Sequence, residues 1–126
     1  MTVAAAVLAA GEGSRFVGDE HKLRASFRGR PVLAWVLDAV DGAGFDEVYV
    51  VTGAADVDDL VGEHHTVLHN ERWTEGQATS LAVAVDAAEA AGHDALVAGL
   101  GDQPLVPTAA WRSVGAAAGE IVTATF

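Results

Sequence analysis

Residues 3–15 read VAAAVLAAGEGSR and join a run of small apolar residues to a turn that contains two glycines. An apolar run without alternation is typical of a parallel strand that is buried on both faces. The run is too short for a membrane span, which needs about 18 apolar residues. No Lys or Arg precedes it, and a charged glycine-rich loop follows it at once, so a secretory signal is disfavoured. We therefore expect residues 3–8 to form the first strand of a sheet.

Apolar runs and helical patterns alternate along the rest of the chain. Further strands are predicted at 47–52, 66–69, 95–100 and 120–126. Helices are predicted from Pro31 to Gly42 and at 56–61, 77–91 and 107–118. This alternation predicts an α/β fold with right-handed crossovers. We expect a Rossmann-like three-layer αβα sandwich with a mostly parallel sheet, formed by a single domain over residues 1–126.

Composition and net charge restrict the kinds of molecule that the protein is expected to bind. Hydrophobic residues make up 51% of the 126 positions, so a disordered chain is not expected. The formal net charge of −11 repels phosphodiester backbones and anionic surfaces, so neither nucleic acid nor a membrane is an expected partner. The sequence has no cysteine, which excludes thiolate metal sites and cysteine nucleophiles and fits a cytoplasmic protein.

The basic residues are concentrated in one segment. Five of the seven lie between positions 15 and 30, where only Asp19 and Glu20 oppose them. These five are Arg15, Lys22, Arg24, Arg28 and Arg30. A basic island in an acidic chain is either a site for a small polyanion or a solvated charged loop, and charge alone favours neither interpretation.

The turn after the first predicted strand has the features of a phosphate-binding loop. Gly11 and Gly13 permit close backbone approach, and consecutive amides there can form an anion-binding nest. The turn is not a Walker loop, and the dinucleotide pattern G-x-G-x-x-G fails at Phe16. A glycine turn followed by Arg15 and Lys22 suits a triphosphate, because phosphoryl chemistry depends on positioning and charge neutralisation. The alternative is a plain turn whose glycines serve only its geometry.

The loop after the strand predicted at 95–100 carries a candidate metal ligand. Asp102 stands at the mouth of a buried strand, where a carboxylate needs a partner. Mg²⁺ typically takes one or two carboxylates, with waters and substrate phosphates as its other ligands. Asp102 is our predicted Mg²⁺ ligand, and an Asx turn or helix cap before Pro104 is the alternative. Since the first and fourth strands of a doubly wound sheet are commonly neighbours, Asp102 and the glycine turn should face one crevice.

Histidines and tryptophans supply weaker candidates. The H-H-x-x-x-H run at residues 64–69 is interpreted as strand and loop rather than as a zinc site, because no Glu completes an H-E-x-x-H motif. Trp35 and Trp111 lie on helical patterns and are expected in the core or an interface. Trp73 lies in the polar loop at 70–76 and is a candidate for closing over a bound ligand.

Together these motifs resemble the MobA-like nucleotidyltransferase family. Its signature L-A-[AG]-G-x-G-x-R followed by a Lys corresponds to residues 8–15 and Lys22, and its G-x-P-[LV]-[LI] corresponds to residues 29–33. Residues 70–81, NERWTEGQATSL, resemble N-x-x-W-x-x-G-x-x-x-S-L of the molybdopterin cytidylyltransferase branch. Residues 101–104 resemble its metal-binding G-D-Q-P. The resemblance covers nearly the whole chain.

The resemblance implies an Mg²⁺-dependent enzyme that transfers a nucleotidyl group from an NTP to a phosphorylated acceptor such as molybdopterin, with release of pyrophosphate. By position, Arg15 and Lys22 would contact the phosphates and Asp102 would bind Mg²⁺. Guanylyl-transferring relatives tend to carry Gly at the position of Ala10, which favours CTP over GTP. The residues that would hold the nucleotide are Leu8, Ala9, Ala10, Gly11 and Gly13. The residues that would line the base or acceptor side are Asn70, Gly76 and Ser80.

The chain departs from the family at its C-terminal end. Relatives continue beyond the position of Phe126 with further strands, much of the acceptor site and a second metal-binding acid, to which no residue here corresponds. We therefore expect a nucleotide-binding domain without the family's C-terminal part. Two alternatives stay open: a nucleotidyltransferase for a sugar phosphate or phospho-alcohol, and a truncated, non-catalytic nucleotide-binding module. The sequence predicts no oligomeric state.

Overall fold

A five-stranded parallel sheet organises the chain in a computed structural model, which describes residues 2–10, 26–53, 60–101, 107–117 and 122–123. The strands within these residues are β1 (Val3–Ala9), β2 (Ser26–Phe27), β3 (Arg30–Pro31), β4 (Glu47–Thr52), β5 (His65–His69), β6 (Ala95–Leu100) and β7 (Val122–Thr123). The helices are α1 (Val32–Asp41), α2 (Gln77–Ala91) and α3 (Thr108–Ala117), and a 3₁₀ turn spans Trp73–Glu75.

The sheet order is β5-β4-β1-β6-β7, and every neighbouring pair is parallel. This doubly wound order confirms the predicted Rossmann-like fold, with the switch point between β1 and β6. The short antiparallel pair of β2 and β3 was not predicted, because two-residue strands leave no periodicity to detect. The helix predicted at 56–61 and the strand predicted at 120–126 lie largely outside the described residues.

Helices cover both faces of the sheet and make three layers. Alternate side chains of β1 enter two separate core clusters, one with α1 and α3 and the other with α2. All six residues from Ala4 to Ala9 are buried, which explains why the strand is apolar without alternation. None of the described helices is long and apolar enough to cross a membrane.

Trp111 fixes the position of α3 on the sheet. It is 1% exposed, and its ring lies so close to Gly99 of β6 that a Cβ on that glycine would overlap it. The prediction of a core position is therefore confirmed for Trp111. Trp35 is only half-buried, and the Arg30 guanidinium lies 5.0 Å from its ring centre.

The amino-terminal edge of the sheet carries a network of polar side chains around Glu47. The Tyr49 and Thr66 hydroxyls each donate a hydrogen bond of 2.8 Å to its carboxylate, and His93 Nε2 lies 2.8 Å from it. The hydrogen bond with His93 is the largest cause that lowers the pKa of Glu47 below its ordinary 4.5. Burial and the hydrogen bond to Glu47 raise the pKa of Tyr49 to about 12.

Tyr49 is the chain's one tyrosine, so an absorbance titration of its phenolate measures its pKa directly. We expect a midpoint of about 12 in place of the ordinary 10.0, because burial and Glu47 both favour the neutral phenol. The contribution of Tyr49 to the free energy of unfolding should then be complete below about pH 10, where the phenol of the unfolded chain begins to ionise. This contribution should be lost as the pH rises towards the pKa of Tyr49 in the folded protein. Glu47→Gln should move the midpoint part of the way back. An ordinary midpoint in the folded wild type would contradict this.

Candidate active site

The strands β1 and β6 end side by side at the carboxyl edge of the sheet. Leu8 lies opposite Leu100 in parallel register, and the Gly101 amide donates a hydrogen bond of 3.0 Å to the Leu8 carbonyl. This is the switch point of the strand order, where open α/β sheets bind their ligands.

The predicted phosphate-binding and metal-binding segments follow these two strands directly. Peptide bonds join Gly11 to Ala10 and Asp102 to Gly101, so both segments start from neighbouring points on one edge. Gly11 and Asp102 themselves lie outside the described residues, and their roles stay predictions. The same holds for Gly13, Arg15 and Lys22.

The three nucleotide-binding positions predicted in and after β1 are all buried. Leu8, Ala9 and Ala10 are 9%, 1% and 3% exposed, and their side chains pack into the two core clusters. Any contact they make with a nucleotide would therefore run through backbone atoms.

Asn70 joins the end of β5 to the first turn of α2. It is 2% exposed, and its amide nitrogen donates hydrogen bonds of 2.9 Å to the hydroxyls of Thr79 and Ser80. Its side-chain oxygen accepts a 2.9 Å bond from the Arg72 backbone, and its own backbone amide donates to the Thr52 carbonyl at 2.7 Å. The side-chain polar atoms and the backbone amide of Asn70 are thus hydrogen-bonded within the protein, and Ser80 is a buried partner. A role of either residue in lining a ligand stays a prediction.

Further hydrogen bonds close the turn at residues 70–80, which we name the acceptor turn because it is predicted to line the base or acceptor side. The Thr79 hydroxyl lies 2.7 Å from the Gly76 carbonyl and 3.0 Å from the Arg72 carbonyl, and it can donate a hydrogen bond to either. Gly76 has a φ of 114°, a conformation that favours glycine, and it directly precedes α2. Arg72 and Glu75 form two exposed hydrogen bonds of 2.8 and 2.9 Å. Trp73 is partly buried against the core, and its closure over a ligand stays a prediction.

Arg30 of the basic island is held in a local contact. Its guanidinium pairs with Asp38 on α1 at 2.6 Å and covers the Trp35 ring. These contacts tie Arg30 to α1 and leave the predicted phosphate contacts to Arg15 and Lys22, which lie outside the described residues.

The histidine run forms part of β5 and its preceding loop, as predicted. His64 Nε2 and His65 Nε2 lie 3.0 and 2.8 Å from the two carboxylate oxygens of Asp41. Within the described parts of the chain, these three side chains are grouped closely enough to share an ion. However, the Gly62 amide donates a 2.8 Å bond to His65 Nδ1, so His65 carries its proton on Nε2. A metal ion could bind His65 Nε2 only after that proton is lost. The group is therefore better described as a hydrogen-bonded clasp between α1 and β5.

Gly53 is a site-edge residue that sequence reasoning missed. It directly follows β4, and a Cβ at this position would lie 2.7 Å from the Trp73 Cβ and 2.8 Å from the Ala10 carbonyl oxygen. A glycine directly after a strand is the sequence signal that could have drawn attention to it.

Residues 5–126 match the family model described as the MobA-like NTP transferase domain. The bifunctional protein GlmU of Nitratidesulfovibrio vulgaris is 36% identical over 107 residues, which cover 82% of this chain and 23% of GlmU. A nucleotidyl transferase structure from Methanothermobacter aligns with a TM-score of 0.78 and 32% identity, over 91% of this chain and 57% of that chain. Rv0371c of Mycobacterium tuberculosis aligns with a TM-score of 0.72 and 32% identity, over 90% and 58% of the two chains.

A second structure of Rv0371c, in complex with manganese, aligns with a TM-score of 0.70 and 26% identity, over 90% of this chain and 58% of that chain. The chain thus spans about a quarter of the GlmU relative and somewhat more than half of these solved structures.

Replacing Asn70 should loosen the acceptor turn. Asn70→Ala removes the hydrogen-bond donor to the buried Ser80 hydroxyl and the half-buried Thr79 hydroxyl and leaves the Arg72 backbone amide without its acceptor, and we expect a loss of about 2 kcal/mol in the free energy of unfolding. Amide exchange should accelerate at residues 70–80. The matched control is Thr66→Val near the other end of β5, which should cost about 1 kcal/mol and leave exchange in the turn unchanged. Equal exchange in the turn for both variants would show that Asn70 does not hold it.

Proposed function

The chain belongs to the MobA-like NTP transferase domain family, and from this we propose that it carries the nucleotide-binding part of a nucleotidyltransferase. The enzyme would transfer a nucleotidyl group from an NTP to a phosphorylated acceptor and release pyrophosphate. The observation that carries the proposal is the parallel pairing of β1 with β6. Through it, the glycine turn and the Asp102 segment start next to each other at the carboxyl edge.

Mg²⁺ is the proposed metal, with Asp102 as its protein ligand. A carboxylate oxygen beside a phosphate-binding turn is the donor set that Mg²⁺ prefers, since substrate phosphates and water complete its coordination. The similar structure of Rv0371c is a complex with manganese, which supports a divalent metal for this proposal. When bound, the ion would stabilise negative charge on the α-phosphoryl group.

The residues of this chain would act by positioning and by charge. A phosphate oxygen of the acceptor forms a bond to the α-phosphorus, and the bond from that phosphorus to the bridging oxygen of the β-phosphate breaks. Arg15 and Lys22 would neutralise the β- and γ-phosphates that leave as pyrophosphate. Backbone amides of Gly11 and Gly13 would hold the triphosphate, and no covalent enzyme intermediate is needed.

CTP and molybdopterin are the proposed donor and acceptor. The CTP preference rests on Ala10, whose Cβ lies next to Gly53 at the end of β4. The pterin acceptor rests on the motif at residues 70–81, whose Trp73 lies next to Gly53. A sugar phosphate or phospho-alcohol is the second candidate acceptor, because the family description names no acceptor and this one motif alone indicates the pterin.

A direct assay tests both the reaction and the acceptor. The protein at its natural full length should release pyrophosphate from CTP and Mg²⁺ when molybdopterin is added, and more slowly with sugar phosphates or phospho-alcohols. Asp102→Asn should abolish turnover without unfolding the chain, because it removes the metal's carboxylate. Full activity of that variant would remove Asp102 from the mechanism. Binding of NTP without pyrophosphate release for any combination of donor and acceptor would favour the non-catalytic nucleotide-binding module.

Lys22→Ala should weaken binding of CTP more than binding of CMP, since the proposed contact is to the outer phosphates. The difference should be about tenfold or more, as expected for loss of one charge-assisted hydrogen bond. Isothermal titration with both nucleotides measures it, and Arg30→Ala is the control because Arg30 is bound to Asp38. An equal loss for CTP and CMP would argue against the phosphate contact.

A further inference from the structure

Three backbone segments meet at Gly53. A Cβ on Gly53 would lie 2.7 Å from the Trp73 Cβ, 2.8 Å from the Ala10 carbonyl oxygen and 2.9 Å from the Ala10 Cβ. Cβ atoms do not approach other heavy atoms this closely, so the junction has room for glycine alone. The constraint is steric and comes from close approach of the chain.

The two neighbours of Gly53 belong to different halves of the proposed site. Ala10 is the last described residue before the glycine turn, whereas Trp73 belongs to the acceptor turn. The Gly53 backbone therefore lies between the segment proposed to hold the nucleotide and the segment predicted to line the base or acceptor side.

Both neighbours of Gly53 are held in place, but the strand that precedes Ala10 is more deeply buried than the turn that contains Trp73. Ala10 directly follows β1, which is buried on both faces and paired on both sides. The acceptor turn is anchored at Asn70, whose backbone amide is bonded to the Thr52 carbonyl next to Gly53, while Arg72 and Glu75 are exposed. An added atom at the junction would therefore displace the turn more readily than the strand.

We propose that Gly53 is a positioning residue that sets the distance between nucleotide and acceptor, an inference that rests on the proposed function. Gly53 would act through its neighbours Ala10 and Trp73 and would not contact either substrate itself. In-line transfer requires the acceptor oxygen to face the α-phosphorus, and a misplacement of about 1 Å can cost about a hundredfold in rate.

The test compares Gly53→Ala with Gly42→Ala in the full-length protein. Gly42 lies in the turn before β4, at the opposite edge of the sheet, where a Cβ would meet the Thr108 side chain at 3.1 Å. For Gly53→Ala we expect kcat/KM for the acceptor to fall about ten- to a hundredfold, while the Kd for the Mg²⁺-bound NTP stays at the wild-type value. Gly42→Ala should retain wild-type kinetic constants. Equal kinetic constants in the two variants would overturn the proposal.

Amide exchange supplies a readout that does not depend on turnover. Exchange at residues 70–80 should accelerate in Gly53→Ala and stay unchanged in Gly42→Ala; unchanged exchange in both would also overturn the proposal. If the wild type transfers no nucleotidyl group, the proposed function fails, and exchange still decides whether Gly53 positions the turn. Asn70→Ala frees the same turn without adding an atom, so it should shift the same acceptor constants; unchanged constants there would count against the proposal even if Gly53→Ala does not fold.

Discussion

β1 lies at the centre of the sheet, with β4 and β6 as parallel partners and a helical layer on each face. This double burial leaves no room for polar side chains along the strand, so chemistry has to begin where the strand ends. Parallel pairing then brings the ends of β1 and β6 to the same edge, where the Gly101 amide binds the Leu8 carbonyl. The placement of the proposed site follows from this packing, because the two segments that would hold nucleotide and metal are covalent continuations of these strands.

The two edges of the sheet are built differently. At the amino-terminal edge, charged and polar side chains are bound to one another, as in the group around Glu47 and the clasp of Asp41 with His65. At the carboxyl edge, the described residues are held by backbone hydrogen bonds, by the Asn70 amide and by close contact at Gly53, and Arg72 and Glu75 form an exposed ion pair. Side chains that are already paired do not compete for a triphosphate, so this division fits a ligand site at the carboxyl edge.

The sequence allowed the main strands and helices to be predicted within a residue or two, because buried parallel strands and amphipathic helices have distinct periodicities. The pair of β2 and β3 was missed, since elements of two residues carry no period. The motif at residues 70–81 was recognised, but the burial of Asn70 and its bonds to Thr79 and Ser80 depend on how the turn folds back onto α2. The contact at Gly53 joins segments 43 and 20 positions away, and no local pattern encodes it.

We propose that a magnesium triphosphate binds between the segments that continue β1 and β6. A crystal structure of the full-length protein with Mg²⁺ and a non-hydrolysable CTP analogue tests it most directly. We expect the triphosphate to contact the backbone at residues 11–13 and an Asp102 carboxylate oxygen to lie about 2.0–2.1 Å from the ion. A triphosphate bound at the amino-terminal edge, or an ion without Asp102 among its ligands, would contradict it.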